Sequence, residues 1–509
     1  MSEPRTPTAR TRVARTRSAL AATALDLPGG TARAMRARAA TLVRTLSGAE
    51  PPTAGRDLVA ALEQLLRTAD RSVVWLTLAV LRAQLPVEQE VVGVARRLTL
   101  DGPATVLAPL LRTAGRPVAR GRAIREVEVV RDAVLVDLEH TAHTTLATGI
   151  QRVARQTARR WARDQEIVLV GWTSDRTALR RLTAAEQSTA IDGEPPQDGA
   201  PDDHRVIVPW HASFLLVELA TETPRTSRTL ALARHAHCRT GAIGFDCVPI
   251  TSGETIGDGM GAAFSTSLAA VREMDAVGAI SDAAATEYEG WRTMLAGTGL
   301  PGPRVVPVVL PVEALAPTGA ALARMTERLA PGARPVVLCV GSHEPRKNHL
   351  AVLHAAELAW REGTDFSLVF VGGNSWSSMT FRHRMAELQE QGRPVQSLSA
   401  LSDDDLWAAY RLARCTVFPS FNEGFGLPVA ESLATGTPVI TSDFGSMAEI
   451  ARHGGAVLVD PRDDRALSRA ITALVTDDAL HDRLAAEALA APARTWDDYA
   501  AELWQALVG

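Results

Sequence analysis

Val336-Val337-Leu338-Cys339-Val340-Gly341-Ser342-His343-Glu344-Pro345-Arg346-Lys347-Asn348-His349 reads as a strand, a turn and the start of a helix. The apolar run is short and valine-rich, which suits a strand buried on both faces, and Gly341 ends it. Helical spacing follows over residues near 348 to 362. The pattern then repeats. Leu368 to Val371 runs into the turn Gly372-Gly373, and further short apolar strands read at Thr416-Val417-Phe418, Pro438 to Thr441 and Ala456 to Val459. Strand alternating with helix predicts a doubly wound parallel sheet of the α/β class.

A similar series lies upstream. Ala133 to Asp137 reads as a buried strand, and Ile150, Val153, Ala154, Ala158 and Trp161 mark one face of the helix after it. Ile167 to Val170, Val206 to Val208, Ala242 to Phe245, Val277 to Ile280 and Val305 to Val309 continue the alternation. The proline-rich stretch Leu300 to Pro317 and the Pro-Gly at Pro331 read as the region between units. The predicted organisation is two Rossmann-like domains, 128–318 and 319–490, followed over 491–509 by an amphipathic helix. That helix carries Trp496, Tyr499, Leu503 and Trp504 at helical spacing and is placed to cross back to the first domain. Residues 1–127 are rich in Ala, Arg and Leu and read as a helical, partly disordered extension. The arginine-rich first twenty residues are either a solvated charged end or a contact for a membrane surface or a protein.

A chain of 509 residues is too long for one ordinary core. With 46% apolar residues, 22% charged residues and a net charge of -4, it suits a globular enzyme better than a nucleic-acid binder. Cys238, Cys247, Cys339 and Cys415 form no metal spacing and no disulfide ladder, which fits a reducing cytosol. No apolar run approaches a membrane span and the basic start lacks a signal core, so the predicted location is cytoplasmic. Of the 54 lysines and arginines only Lys347 is lysine. A compact ammonium aimed at a phosphate is one physical reason for that exception.

The most informative chemistry lies in Pro419-Ser420-Phe421-Asn422-Glu423-Gly424-Phe425-Gly426-Leu427-Pro428-Val429-Ala430-Glu431. A strand ends, a glycine-rich turn follows, and a helix starts near Leu427 with Glu431 inside it. Backbone N–H groups and a positive helix end are thereby offered to an anion, and glycines let the backbone approach. Glu423 stands at the turn, where a sugar hydroxyl can donate to it; Glu431 is placed to reach a ribose.

E-G-F-G-L-P-V-A-E resembles the E-x7-E signature of the family 4 retaining glycosyltransferases, which have the two-Rossmann GT-B fold. The likeness extends over roughly residues 130 to 509. It implies a hexose donor held as a nucleotide diphosphate sugar, mainly by the second domain, and an acceptor held mainly by the first. In similar members the segment after Gly341 brings basic side chains to the diphosphate, which makes Arg346 and Lys347 the electrostatic catalysts. Many members have arginine directly after that glycine; here the residue is Ser342, a departure that leaves Arg346 to cover both roles. Leu398 to Leu406 resembles the stretch whose backbone meets the base, so Leu398, Ser342, Gly424, Phe425, Gly426, Leu427 and Glu431 are assigned to donor binding. Its Asp403-Asp404-Asp405 reads as a capped helix start behind Ser402, not a metal site. No metal and no cofactor are expected.

Thr148-Gly149-Ile150-Gln151-Arg152 resembles the T-G-I-Q-R turn of a mannosyl- and rhamnosyltransferase-like subset, which leans toward GDP-mannose and places Gly149 beside the donor. Gly244-Phe245-Asp246-Cys247-Val248-Pro249 resembles the Y-D-x-I-P segment of the same subset. Asp246 is then either an active-site carboxylate or a turn-capping aspartate. Ser281-Asp282 also matches a family strand end but reads as an N-cap. The acceptor is open among a glycan, a lipid-linked glycan, a natural product and a protein. The alternative is a catalytically silent, sugar-nucleotide-binding scaffold.

Overall fold

The computed structural model describes residues 9–26, 29–113, 124–144, 148–197, 202–330, 334–373, 375–376 and 378–509. Two sheets organise them. The first contains β1 (Glu126–Val130), β2 (Val134–Asp137), β3 (Ile167–Trp172), β4 (Leu179–Arg181), β5 (Arg205–Pro209), β6 (Ser213–Leu216), β7 (Arg239–Gly244), β8 (Ala276–Ala279) and β9 (Arg304–Pro307). Their spatial order is β1-β5-β4-β3-β2-β6-β7-β8-β9. All pairings are parallel except those of β4, which runs antiparallel to β3 and β5. The second sheet is wholly parallel. It contains β10 (Val336–Val340), β11 (Ser367–Val371), β12 (Val395–Leu398), β13 (Cys415–Phe418), β14 (Val439–Ser442) and β15 (Ala456–Val459), in the order β12-β11-β10-β13-β14-β15.

The apolar run of β10 has a simple cause. Val337 and Cys339 enter the core formed with the helices His349–Arg361 and Asp464–Thr476, whereas Val336 and Leu338 enter the core formed with Gly319–Leu329 and Asp403–Leu412. Both faces are covered, so both residues of each alternating pair must be apolar. The chain winds outward from β10 to β12 and then returns to β13 beside β10. That reversal leaves a crevice at the carboxyl ends of β10 and β13, where open α/β sheets bind ligands. The first sheet reverses in the same way between β2 and β6.

Four strands escape the sequence pattern. β4 is only Leu179-Arg180-Arg181, β12 has polar residues at its centre, and β1 alternates Glu with Val. β6 continues an apolar stretch that breaks at His211, which takes a left-handed φ of 52°. Part of the proline-rich stretch before Pro317 is β9, the outer strand of the first sheet.

The helices between Ala9 and Thr113 do not stand apart from the first sheet. Residues such as Leu42, Leu62, Trp75 and Leu107 share one core with Ile207, Phe214 and Ala242. Trp75 stacks on Trp210 at 6.4 Å, and buried Arg38 donates from Nε to the Arg125 carbonyl at 2.9 Å. Of the first twenty residues read as a tail, 1–8 lie outside the described residues, whereas 9–20 belong to the helix Ala9–Asp26, which enters this core through Ala21 and Leu25. At the other end, the helix Trp496–Leu507 packs on the first sheet. Trp161 Nε1 donates to the Ala500 carbonyl at 2.9 Å, and Leu503 and Leu507 fill the space left by Gly278 and Gly241. A Cβ at Gly278 would collide with Leu503. Among the described residues no helix is long and apolar enough to cross a membrane.

Candidate active site

The turns after β10, β11 and β13 meet at the reversal of the second sheet. Gly341 leaves β10 with φ 149°, and Gly372 leaves β11 so close to it that a Cβ would strike the Gly341 carbonyl. Only glycine permits that approach. A one-turn 3-10 helix over Pro345–Lys347 then presents Arg346 and Lys347, and Asn348, left-handed at φ 58°, redirects the chain into the following helix. The Arg346 carbonyl accepts from Phe421 N and Ser420 Oγ, both at 3.0 Å, so the loops after β10 and β13 are stitched together.

This stitching brings three charges together. Lys347 Nζ donates to Glu423 Oε1 at 2.6 Å, and Arg346 Nη1 lies 2.5 Å from Glu423 Oε2. Arg346 also donates to the Asn422 carbonyl at 2.6 Å and to Glu344 Oε1 at 3.0 Å. The side chains of Arg346, Lys347 and Glu423 are only 16%, 11% and 9% exposed. Burial pushes the Glu423 carboxyl up, but Arg346 and Lys347 outweigh it and hold it at about 2. Ser342 stands at the same turn, its hydroxyl 3.3 Å from Glu344.

The glycine turn faces the first domain. Gly424 is pressed against the Phe245 carbonyl and Asp246 Cβ, and Ser281 Oγ donates to the Gly424 carbonyl at 2.6 Å. Ser281 also accepts from Ala284 N at 2.8 Å, so it caps its helix while touching the opposite domain. Asp246 accepts from Val248 N at 3.1 Å, which makes it a turn cap, yet it also lines a pocket with Arg346. Burial raises its carboxyl to about 6, against the pull of Arg346 and with the help of Glu287 and Glu423.

A second group forms around the helix Leu427–Ala434, which starts at Gly426 with φ 102°. Buried Glu431 accepts from Arg152 Nη1 at 2.7 Å and from the Tyr410 hydroxyl at 2.8 Å. Gly149, one turn before Arg152, lies against Leu427, and Phe425 is buried in the core shared with the first domain. Leu398 joins the site from the side of β11. It ends β12, two strands from β10, and its carbonyl accepts from Gly372 N at 3.0 Å. Asp404 and Asp405 are engaged with Thr318 and Arg324.

Arg152, Tyr410, Glu287 and Asn422 were not singled out by sequence reasoning as site residues. Arg152 sits inside the T-G-I-Q-R turn and was within reach. Glu287, which accepts from Cys247 N at 2.7 Å and Asn422 Nδ2 at 2.8 Å, lies mid-helix with no local signal.

Residues 324–490 match the family described as glycosyl transferases group 1. That match lies within the second sheet's half of the chain. The whole two-domain body has the GT-B fold. It is similar to the N-terminal domain of Candida albicans trehalose-6-phosphate phosphatase (TM-score 0.51, 13% identity, 74% of this chain and 97% of that one). It is likewise similar to Anabaena Alr3699/HepE in complex with UDP and glucose (TM-score 0.51, 12% identity, 74% and 96%). Among curated relatives, the Escherichia coli serotype-specific mannosyltransferase WbdA is 36% identical over 124 residues, 24% of this chain and 15% of that protein. The O-antigen chain mannosyltransferase B of Escherichia coli is 34% identical over 154 residues (30% and 40%). A D-inositol 3-phosphate glycosyltransferase of Nocardia farcinica is 32% identical over 219 residues (40% and 48%). The chain thus spans less than half the length of each of these relatives.

Proposed function

We propose that this chain is a retaining glycosyltransferase that moves a hexose from a nucleoside diphosphate sugar to an acceptor hydroxyl. The observation that carries this is the convergence of Arg346 and Lys347 on Glu423 at the switch point of the second sheet, facing Asp246 of the first domain. Two adjacent cations in a site largely closed to water are suited to the charge that develops on a leaving diphosphate. With that charge neutralised by protein, the chemistry needs no metal. Glu423 orients the sugar and Glu431 the ribose. The C1–O bond to the diphosphate breaks, the acceptor oxygen bonds to C1 from the same face, and the acceptor's proton passes to the departing phosphate oxygen.

GDP-mannose is the favoured donor, because the T-G-I-Q-R turn and the mannosyltransferase relatives point the same way. Four free, buried thiols suit work in a reducing cytoplasm. The direct test incubates the full chain with GDP-mannose and with UDP, TDP and ADP sugars and follows nucleotide release and sugar transfer. Turnover of one donor that Lys347→Ala and Glu423→Gln each lower by about a hundredfold or more supports the reading. Tight nucleotide binding with no turnover of any donor would instead favour a non-catalytic, ligand-binding role.

A further inference from the structure

A pocket of about 210 Å³ opens where the two domains meet. Its charged lining comes from Asp246 and Asp258 of the first domain and Glu344 and Arg346 of the second. Its apolar lining includes Ile256, Met260 and Trp376. Trp376 belongs to the loop after β11 and reaches across the seam, donating from Nε1 to the Thr255 carbonyl at 3.1 Å, with Gly257 packed against its ring. The indole is therefore held in place, yet Trp376 is 43% exposed and Met260 beside the same pocket is 40% exposed. The indole thus offers a fixed, partly exposed apolar face beside Met260.

We propose that this pocket is the acceptor subsite and that it receives a pyranose ring, so that the acceptor is a carbohydrate. The inference rests on the glycosyl-transfer reading above and names the substrate class that reading leaves open. A pyranose has apolar C–H faces for Trp376 and Met260 and a rim of hydroxyls that both donate and accept hydrogen bonds, matching the carboxylates of Asp246 and Glu344 and the guanidinium of Arg346. Arg346 and Glu344 already pair at 3.0 Å and Asp246 accepts from Val248 N, so a purely apolar ligand would lie against the remaining lone pairs of two carboxylates and return no hydrogen bonds. The pocket is smaller than the roughly 300–1,000 Å³ of sites that enclose a drug-sized ligand, so it suits one ring of a longer glycan. A separate pocket of about 430 Å³, lined by His343, Gly372, Ser397 and Ser399 of the second domain alone, leaves the seam free for a ligand other than the nucleoside. Because Arg346 belongs both to the seam pocket and to the pair with Glu423, a hydroxyl held on Asp246 stands next to the proposed diphosphate site.

The test uses saturation-transfer NMR on the full chain with methyl and octyl glycosides of mannose, glucose, galactose and rhamnose, with GDP or UDP present. At least one methyl glycoside should bind wild type, and Trp376→Ala should weaken it at least tenfold without altering nucleotide binding. Trp376→Phe, which keeps an aromatic ring and loses the bond to Thr255, should retain most of the affinity; if it behaves like Trp376→Ala, the tryptophan is only a latch and the proposal fails. Methyl-glycoside binding that survives Trp376→Ala overturns it, as does binding of octyl glycosides alone. A stronger octyl than methyl signal, both lost in Trp376→Ala, supports the same ring subsite in a lipid-linked glycan. If no glycoside binds while the nucleotide does, the subsite is wrong; if no nucleotide binds either, the glycosyl-transfer reading itself falls.

Discussion

Arg152 Nη1 lies 2.7 Å from Glu431 Oε1, and this ion pair joins the first domain to the second through the carboxylate assigned to the donor ribose. Tyr410 occupies the other oxygen of Glu431 at 2.8 Å. Burial pushes the Glu431 carboxyl up, and Arg152 and Tyr410 oppose that shift. A ribose hydroxyl reaching Glu431 must therefore compete with an arginine from the opposite domain.

Arg152→Ala removes that competitor. Calorimetric titration should find GDP or UDP bound about tenfold more tightly, equivalent to about 1.4 kcal/mol. The same variant leaves a buried carboxylate short of a partner, at a cost of about 1–3 kcal/mol, so its thermal unfolding should begin earlier. Weaker nucleotide binding would mean that Arg152 contacts the donor rather than excluding it.

Lys347→Ala should reduce transfer by about 10²–10³-fold, the usual effect of removing one group that stabilises transition-state charge. Steady-state kinetics on the identified donor checks this. Lys347→Arg should recover little, because a second forked guanidinium does not fit where a compact ammonium lies between Glu423 and the Phe418 ring. Wild-type rates in the Lys347→Arg variant would show that charge alone matters at this position.

Gly424→Ala should be damaging although the residue touches no charge. Its Cβ would meet the Phe245 carbonyl, which is backbone and has little freedom to yield, so the domains must separate locally. Lowered thermal stability together with an enlarged solution radius by X-ray scattering is the expected outcome. An unchanged radius with full activity would contradict the close contact of the two domains at this turn.

The second domain was the more legible half. β10 and β15 match the apolar runs residue for residue; in β10 the cause is cover on both faces, whereas β15 is an edge strand whose Leu458 is exposed. The motifs around Lys347 and Glu423 were visible because glycines and prolines mark tight turns locally. What sequence could not supply was pairing across domains: nothing near residue 152 announces Glu431, and nothing near residue 376 announces Thr255. The helices before residue 113 read as an appendage because their spacing describes each helix alone, whereas the core they share with Phe214 and Ile207 is a long-range fact.

Asp246→Asn should be pH-dependent in a defined direction. The folded carboxyl sits at about 6, above its ordinary value of 3.8, because burial disfavours the charge. An acid raised on folding destabilises the protein progressively as pH rises from its unfolded to its folded value. The asparagine still caps Val248 N and carries no charge, so its stability relative to wild type should climb between pH 4 and pH 6 and level off above, by on the order of 1–3 kcal/mol, read from melting temperatures. A difference that is flat across that range would place the Asp246 carboxylate in water.

The claim on which the rest depends is that Arg346 and Lys347 hold the donor diphosphate. A crystal structure of the full chain with GDP or UDP measures this most directly. The account predicts both phosphates beside the Gly341 turn, with Lys347 Nζ and the Arg346 guanidinium within hydrogen-bonding distance of their oxygens. Phosphates bound elsewhere, with Lys347 still paired to Glu423 and Arg346 to Glu423 and Glu344, would contradict it.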